Sequence, residues 1–321
     1  MAASLLFRLA LLVVGLPQED AASTSVVAPG AKLEKVWGEG SFTEGGACDS
    51  DGSILFSDIG NRIMRFDPKT GKTTVFREPS GRANGLIFDG RGRLIVAEGA
   101  NTGGGRRVSI TERDGTIRTL ADNYDNKRFN SPNDVAVARD GRVYVSDPRY
   151  VGNEPRELEF EGVFLIESQG FVIPLVTTAI KPNGLALSPD EKTLYIADNG
   201  TRRRVLIATD RAGSGKVSRP RIIHDFGSER GIDGMTVTTD GRIVAAAGSR
   251  DRAGVVVLSP DGKILAMIPV PEEPANVEFG GTDGKTLYIC AGKSLYRIAT
   301  TMTGHSLWPP RNADSLQKSR Q

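Results

Sequence analysis

Histidine and cysteine are nearly missing from this chain, with two of each in 321 residues: His224, His305, Cys48 and Cys290. There is no His-Glu-x-x-His and no close cysteine pair, so a zinc centre of His and Cys ligands has nothing to form from. Two cysteines make no disulfide framework either. Cys48 falls on a strand of the first repeat described below and Cys290 on a strand of the last. Closing a ring would make them neighbours and permit a bridge, but two buried free thiols is the reading taken here. No Gly-x-Ser-x-Gly elbow occurs, which removes the usual serine-hydrolase nucleophile. The run Gly280-Gly281-Thr282-Asp283-Gly284-Lys285-Thr286 has glycines wrongly spaced for a phosphate loop and stands between strands, so it reads as a hairpin turn.

An excess of charge of one sign is also lacking. Lys and Arg number 41 and Asp and Glu 39, a net +2 that argues against a nucleic-acid partner. Arg106-Arg107 and Arg202-Arg203-Arg204 have no interleaved aromatics and read as strand-edge or rim charges. No apolar run is long enough to span a bilayer. The stretch 9–16 instead has the length of a signal-peptide core, with Arg8 before it and Ala21-Ala22-Ser23 as a cleavage region. The expected organisation is a signal peptide at 1–23, a linker at 24–31, one folded domain at 32–302 and a polar, mostly unstructured tail at 303–321. Such a protein is exported, periplasmic or secreted, if the signal is real, and cytoplasmic otherwise. The sequence carries no indication of oligomeric state.

What the chain does have is a repeat. Asn133-Asp134-Val135-Ala136-Val137 leads into Asp140-Gly141, and a second apolar run ends at Asp147. Alternating apolar residues on both sides of an Asp-Gly turn signal a β-hairpin. The same pattern starts at Glu44, Asn84, Asn133, Asn183, Asp233 and Asn276, and eight residues later, in that order, stand Gly52, Gly92, Gly141, Glu191, Gly241 and Gly284. The copies lie roughly 40–50 residues apart, the size of a four-stranded propeller blade. Copy three predicts strands at 135–138, 142–146, 163–167 and 171–177, and copy five at 235–238, 242–246, 254–258 and 264–268. Copy six has only three, at 277–279, 286–290 and 294–298. The unmatched strand 32–37 supplies the fourth and covers an open edge. The fold class expected is all-β, a six-bladed β-propeller closed by an N-terminal strand.

In such a blade the residue before the first strand and the residue after the second meet at one rim. The first column is Glu44, Asn84, Asn133, Asn183, Asp233 and Asn276. The second is Asp58, Glu98, Asp147 and Asp198, with Ala247 and Ala291 in the last two copies. One channel mouth is therefore expected to be crowded with oxygen ligands and to carry few positive charges. Carboxylate and amide oxygens suit a hard cation, Ca²⁺ above all. The longest insertion, from Asp147 through Tyr150 to Glu161, follows a strand end at this rim, where it could wall the channel and contact a substrate.

These motifs resemble the gluconolactonase/SMP-30 family of calcium-dependent lactonases. The matching pieces are Glu44-Gly45-Gly46, Phe56-Ser57-Asp58-Ile59, Asn130-Ser131-Pro132-Asn133-Asp134, Asp147-Pro148-Arg149-Tyr150, Pro182-Asn183-Gly184-Leu185, Tyr195-Ile196-Ala197-Asp198 and Asp233-Gly234-Met235. The resemblance implies one divalent cation held by Glu44, Asn133, Asn183 and Asp233, with Asp233 also the general base. Ca²⁺ is expected, and Mg²⁺, Mn²⁺ and Zn²⁺ are left open. It implies hydrolysis of a small-molecule sugar lactone, with Asn84, Glu98, Asn133 and Tyr150 as candidate substrate contacts. One departure stands out. A His or Glu-His-Gly-Asn segment often follows the family's blade-two strand, but here Glu98-Gly99-Ala100-Asn101-Thr102 does, a departure that touches the substrate pocket and not the cation ligands. Two alternatives remain open: hydrolysis of other activated esters or phosphotriesters on the same metal site, and a non-catalytic binding propeller with a structural Ca²⁺.

Overall fold

The computed structural model describes residues 26–308; the expected signal peptide and residues 309–321 lie outside the described residues. Six four-stranded antiparallel sheets account for nearly all of it, joined by a two-stranded ribbon, Asn123–Tyr124 with Lys127–Arg128, between the second and third. Blade three is built of Val135–Val137, Val143–Asp147, Gly162–Ile166 and Val172–Val176, each boundary within one residue of expectation.

The blades have no cores of their own. Second strands such as Ile54–Asp58, Leu94–Glu98, Val143–Asp147 and Ile243–Ala247 are buried at every position because a neighbouring blade covers each face. Their sequences accordingly read as continuous runs rather than alternations. The outer strand Lys72–Arg77 has no fully buried residue. Six apolar clusters among the described residues each lie between two adjacent blades. In one, Ala47, Leu55 and Ile63 of blade one meet Ala83, Leu86, Leu94 and Val96 of blade two. Stability therefore belongs to the interfaces, and the ring must close to complete the last of them.

Closure comes from Glu34–Trp37, antiparallel to Ser294–Ala299 with Glu34 opposite Arg297 and Lys35 opposite Tyr296. It is the outer strand of blade six, as expected. Two boundary expectations are corrected. Residues 26–31 are not a free linker, because Val26 is buried between blades five and six and Val27 bridges Thr300. Nor is the chain unstructured from 303. Thr303 O accepts the Thr239 N–H at 2.9 Å, and the His305 N–H donates to Val237 O at 2.9 Å. Trp308 packs over Gly92 and donates its indole N–H to Asp49 Oδ1 at 3.3 Å. Residues His305, Ser306 and Leu307 line the far end of the central channel. Among these residues Trp308 is buried and Leu307 partly so, and that burial holds the segment in place.

Candidate active site at the channel mouth

At the mouth, the first strand of several blades breaks its ladder where the first-column residue stands. Register shifts separate Glu44 from Ala47, Ala83 from Leu86, Pro182 from Leu185 and Pro274 from Asn276. A bulge re-aims the side chain it carries. In blades three and five the regular strand begins only after the column residue, at Val135 and Met235. Glycine follows four of the six column residues, and packing explains it. A Cβ on Gly184 would stand 2.3 Å from the Asp233 carbonyl oxygen, which instead accepts the Gly184 N–H at 2.8 Å. Gly45, at φ +48°, is pressed in the same way against Asn84 O. Gly85 N–H donates to Asn133 O at 2.7 Å, Gly234 N–H to Ala275 O at 2.7 Å, and Leu185 N–H to Asp134 Oδ2 at 2.8 Å. The column is thus strapped from blade to blade.

This belt brings Glu44, Asn84, Asn133, Tyr150, Asn183 and Asp233 onto one cavity of about 420 Å³. Asn183 Nδ2 donates to Asp233 Oδ1 at 2.7 Å and to Tyr150 Oη at 3.1 Å. Arg230 Nη2 donates to Asp233 Oδ2 at 2.6 Å, while its Nη1 binds Pro274 O at 2.7 Å. Tyr150 also lies under the Lys181 ammonium, 5.0 Å from its ring centre. Burial, and then the Asp233 carboxylate, push the Glu44 carboxyl well above the ordinary carboxylate range. Burial raises Asp233 as well, and Arg230 and Asn183 pull it back only in part.

The donor chemistry fits a hard divalent cation. Two carboxylates and two amides offer an all-oxygen set, and a cation between Glu44 and Asp233 would relieve their repulsion. Among the described residues no three His, Cys, Asp or Glu side chains converge, so the amide oxygens of Asn133 and Asn183 are needed to complete the set.

The second column does not join this set. Asp58 Oδ1 accepts the N–H groups of Ser41 at 2.9 Å and Phe42 at 3.3 Å. Asp147 takes those of Asn130 and Ser131, both at 2.7 Å, and Asp198 takes those of Ile180 at 3.1 Å and Lys181 at 2.7 Å. Each carboxylate satisfies the irregular segment leading into its own blade, whose N–H groups have no strand partner. Glu98 is fully buried and faces outward, bound by Arg77 Nη2 at 2.6 Å, Arg107 Nε at 2.7 Å and Ser109 Oγ at 2.6 Å. It does not line the cavity, so the expectation of a substrate contact there is corrected.

The expected shortage of positive charge is corrected too. Arg82 lines the cavity and Arg230 grips Asp233 from beside it. Sequence reasoning missed both, although each stands two or three residues before a column residue, which is a readable signal. Both cysteines are free and buried, and the Cys290 thiol donates to Gly45 O at 3.2 Å.

Comparison with known proteins agrees with this fold. A family model described as SMP-30/Gluconolactonase/LRE-like region matches residues 37–293. A gluconolactonase of Zymomonas mobilis is 29% identical over 300 residues, covering 85% of this chain and 82% of its own. The solved structure of a gluconolactonase from Xanthomonas campestris superposes with a TM-score of 0.76 at 27% identity, covering 85% of this chain and 91% of that one. A calcium-binding regucalcin from Agrobacterium tumefaciens shares the fold, with a TM-score of 0.69 at 18% identity over 85% of this chain and 95% of its own.

Proposed function

The chain belongs to the SMP-30/gluconolactonase/LRE-like family of lactone hydrolases, and we propose that it opens a sugar lactone with Asp233 as general base beside one divalent cation, Ca²⁺ foremost. The observation that carries this reading is the convergence of Glu44, Asn133, Asn183 and Asp233 on one cavity at the channel mouth. Glu44, Asn133, Asn183 and Asp233 would hold the cation, which when bound supplies a Lewis acid for the carbonyl oxygen. The remaining chemistry lies with the side chains. Asp233, fixed through both carboxylate oxygens by Asn183 and Arg230, takes a proton from the attacking water. The water oxygen bonds to the carbonyl carbon, the ring C–O bond breaks, and the proton ends on the departing ring oxygen, giving the open hydroxy acid. Asn84 and Tyr150 are placed to orient the ring. Export of the protein is proposed on the strength of residues 1–23 alone.

The test is pH-stat hydrolysis of D-glucono-1,5-lactone with and without chelator, then with Ca²⁺ restored, beside Asp233→Asn. We expect chelation to abolish acid release, and the variant to lower kcat by roughly 100-fold or more while its melting curve stays cooperative. Release at the spontaneous rate with every ion would overturn the reading. Full turnover by folded Asp233→Asn would remove Asp233 from the role of base.

A further inference from the structure

The cavity has a lining of two kinds. Besides the polar side chains just described, its floor, it is lined by an apolar set, Phe42, Ile59, Ala100 and Val151, its wall. Several peptide groups along that wall are already spent. Phe42 O accepts the Ile59 N–H at 3.0 Å, Ile59 O accepts Arg82 Nη1 at 3.0 Å, and the Ala100 N–H donates to Ser131 Oγ at 2.9 Å. The Gly99 N–H donates to Arg82 O at 2.9 Å, and Gly99 O accepts the Arg106 N–H at 3.2 Å. Arg82, the cation lining the cavity, has a second donor, Nε, bound to Thr102 O at 2.9 Å. A hydroxyl pressed against the side chains of Phe42, Ile59, Ala100 and Val151 would exchange water for carbon neighbours, while a methylene there would only gain. The wall also continues outward, because Val151 is 54% and Phe42 41% exposed at the rim.

Resting on the lactone-hydrolase reading, we infer that the site has a second substrate class: lactones whose ring carries an alkyl or aryl group, lodged against Phe42, Ile59, Ala100 and Val151. The ring ester sits over the polar floor as a sugar lactone would, and the substituent points along the apolar wall to the rim. The bond changes are those of the sugar reaction. Water adds to the carbonyl carbon, the ring C–O bond breaks, and a δ-hydroxy acid leaves with its alkyl chain intact. No further reactant is needed. Val151 and Phe42 are then specificity-determining residues, and the insertion after Asp147 supplies the first of them.

The experiment measures kcat/KM of the full chain in a pH-stat for δ-valerolactone, δ-hexalactone, δ-octalactone and δ-decalactone, with D-glucono-1,5-lactone in parallel. Spontaneous hydrolysis is subtracted throughout. Burial of a methylene predicts a rise of about three- to fourfold per added carbon until the chain passes the rim. Val151→Asp and Phe42→Ser, both at partly exposed positions, should each flatten that slope, with the loss appearing mainly in KM for the longest lactones. A flat or falling chain-length profile beside normal turnover of the sugar lactone would overturn the inference and leave the lactonase reading standing. An unchanged slope in both folded variants would overturn the assignment of the wall. Failure to hydrolyse any of the five lactones would sink the lactonase reading, and the inference with it.

Discussion

Glu98 shows how much one side chain's direction matters. It ends a second strand as Asp58, Asp147 and Asp198 do, yet it is enclosed by two arginines, with Arg77 only 9% exposed. Neutralising it leaves guanidinium charge in a buried setting without its counter-ion, which costs about 3–5 kcal/mol. We therefore expect Glu98→Gln to lower the melting temperature by ten degrees or so for about 3 kcal/mol of loss, using roughly 2–4 °C per kcal/mol in a domain of this size. KM for the sugar lactone should stay within about twofold of the parent, because the side chain does not reach the cavity. A large rise in KM with an unchanged melting temperature would restore Glu98 to the substrate. Asp233 is the converse case, since Asn183 from the first strand of blade four and Arg230 from the segment leading into blade five hold it at the cavity.

At the scale of the strand, the belt of bulges sets the spacing of the candidate ligands. Gly184 is its most confined link, with the Asp233 carbonyl where a Cβ would be. In Gly184→Ala, the Asp233 backbone must move away from Asn183, and the 2.7 Å contact between their side chains opens. The expected result is a drop in cation affinity, read by calorimetric titration with Ca²⁺, larger than the drop in the urea midpoint. A variant that binds Ca²⁺ like the parent would show that the strap does not control the site. The Asn-Gly and Asp-Gly pairs were visible in the sequence, but their meaning was not, because the atom excluding a side chain belongs to the next blade, roughly 40–50 residues away.

At the scale of the whole ring, closure gathers around Glu272. Its carboxylate accepts from Lys35 Nζ at 2.8 Å, Ser294 Oγ at 2.6 Å, Tyr296 Oη at 2.7 Å and the Lys293 N–H at 3.0 Å, tying the N-terminal strand to blade six. Burial raises its proton affinity, but these hydrogen bonds outweigh it and hold the carboxyl down to about 2 against an ordinary 4.5. A depressed carboxylate contributes stability that is complete above its unfolded value. That contribution is lost as pH falls from about 4.5 towards 2. Urea midpoints should fall through this window in the parent and fall less in Glu272→Gln, which is already weaker at pH 6. Parallel pH profiles in the two proteins would assign the acid sensitivity elsewhere.

The sequence by itself determined the blade count, the closing strand and the column of six residues from which the family resemblance picks the four proposed to hold the cation. These follow from a local rule, the strand–turn–strand spacing, that each copy obeys independently, and a period repeated six times is legible without knowing what any copy touches. The direction of the second-column carboxylates, the arginines at Asp233 and beside Asn84, and the apolar wall were decided only by tertiary structure. So was the packing of residues 26–31 and 303–308 against the ring. In some of these the deciding partner lies on another blade, as Arg77 does for Glu98, and in others in the irregular segment that leads into the same blade, as Asn130 and Ser131 do for Asp147. A carboxylate turns to whichever unsatisfied N–H or buried cation is nearest in space, and the spacing along the chain does not say which that is.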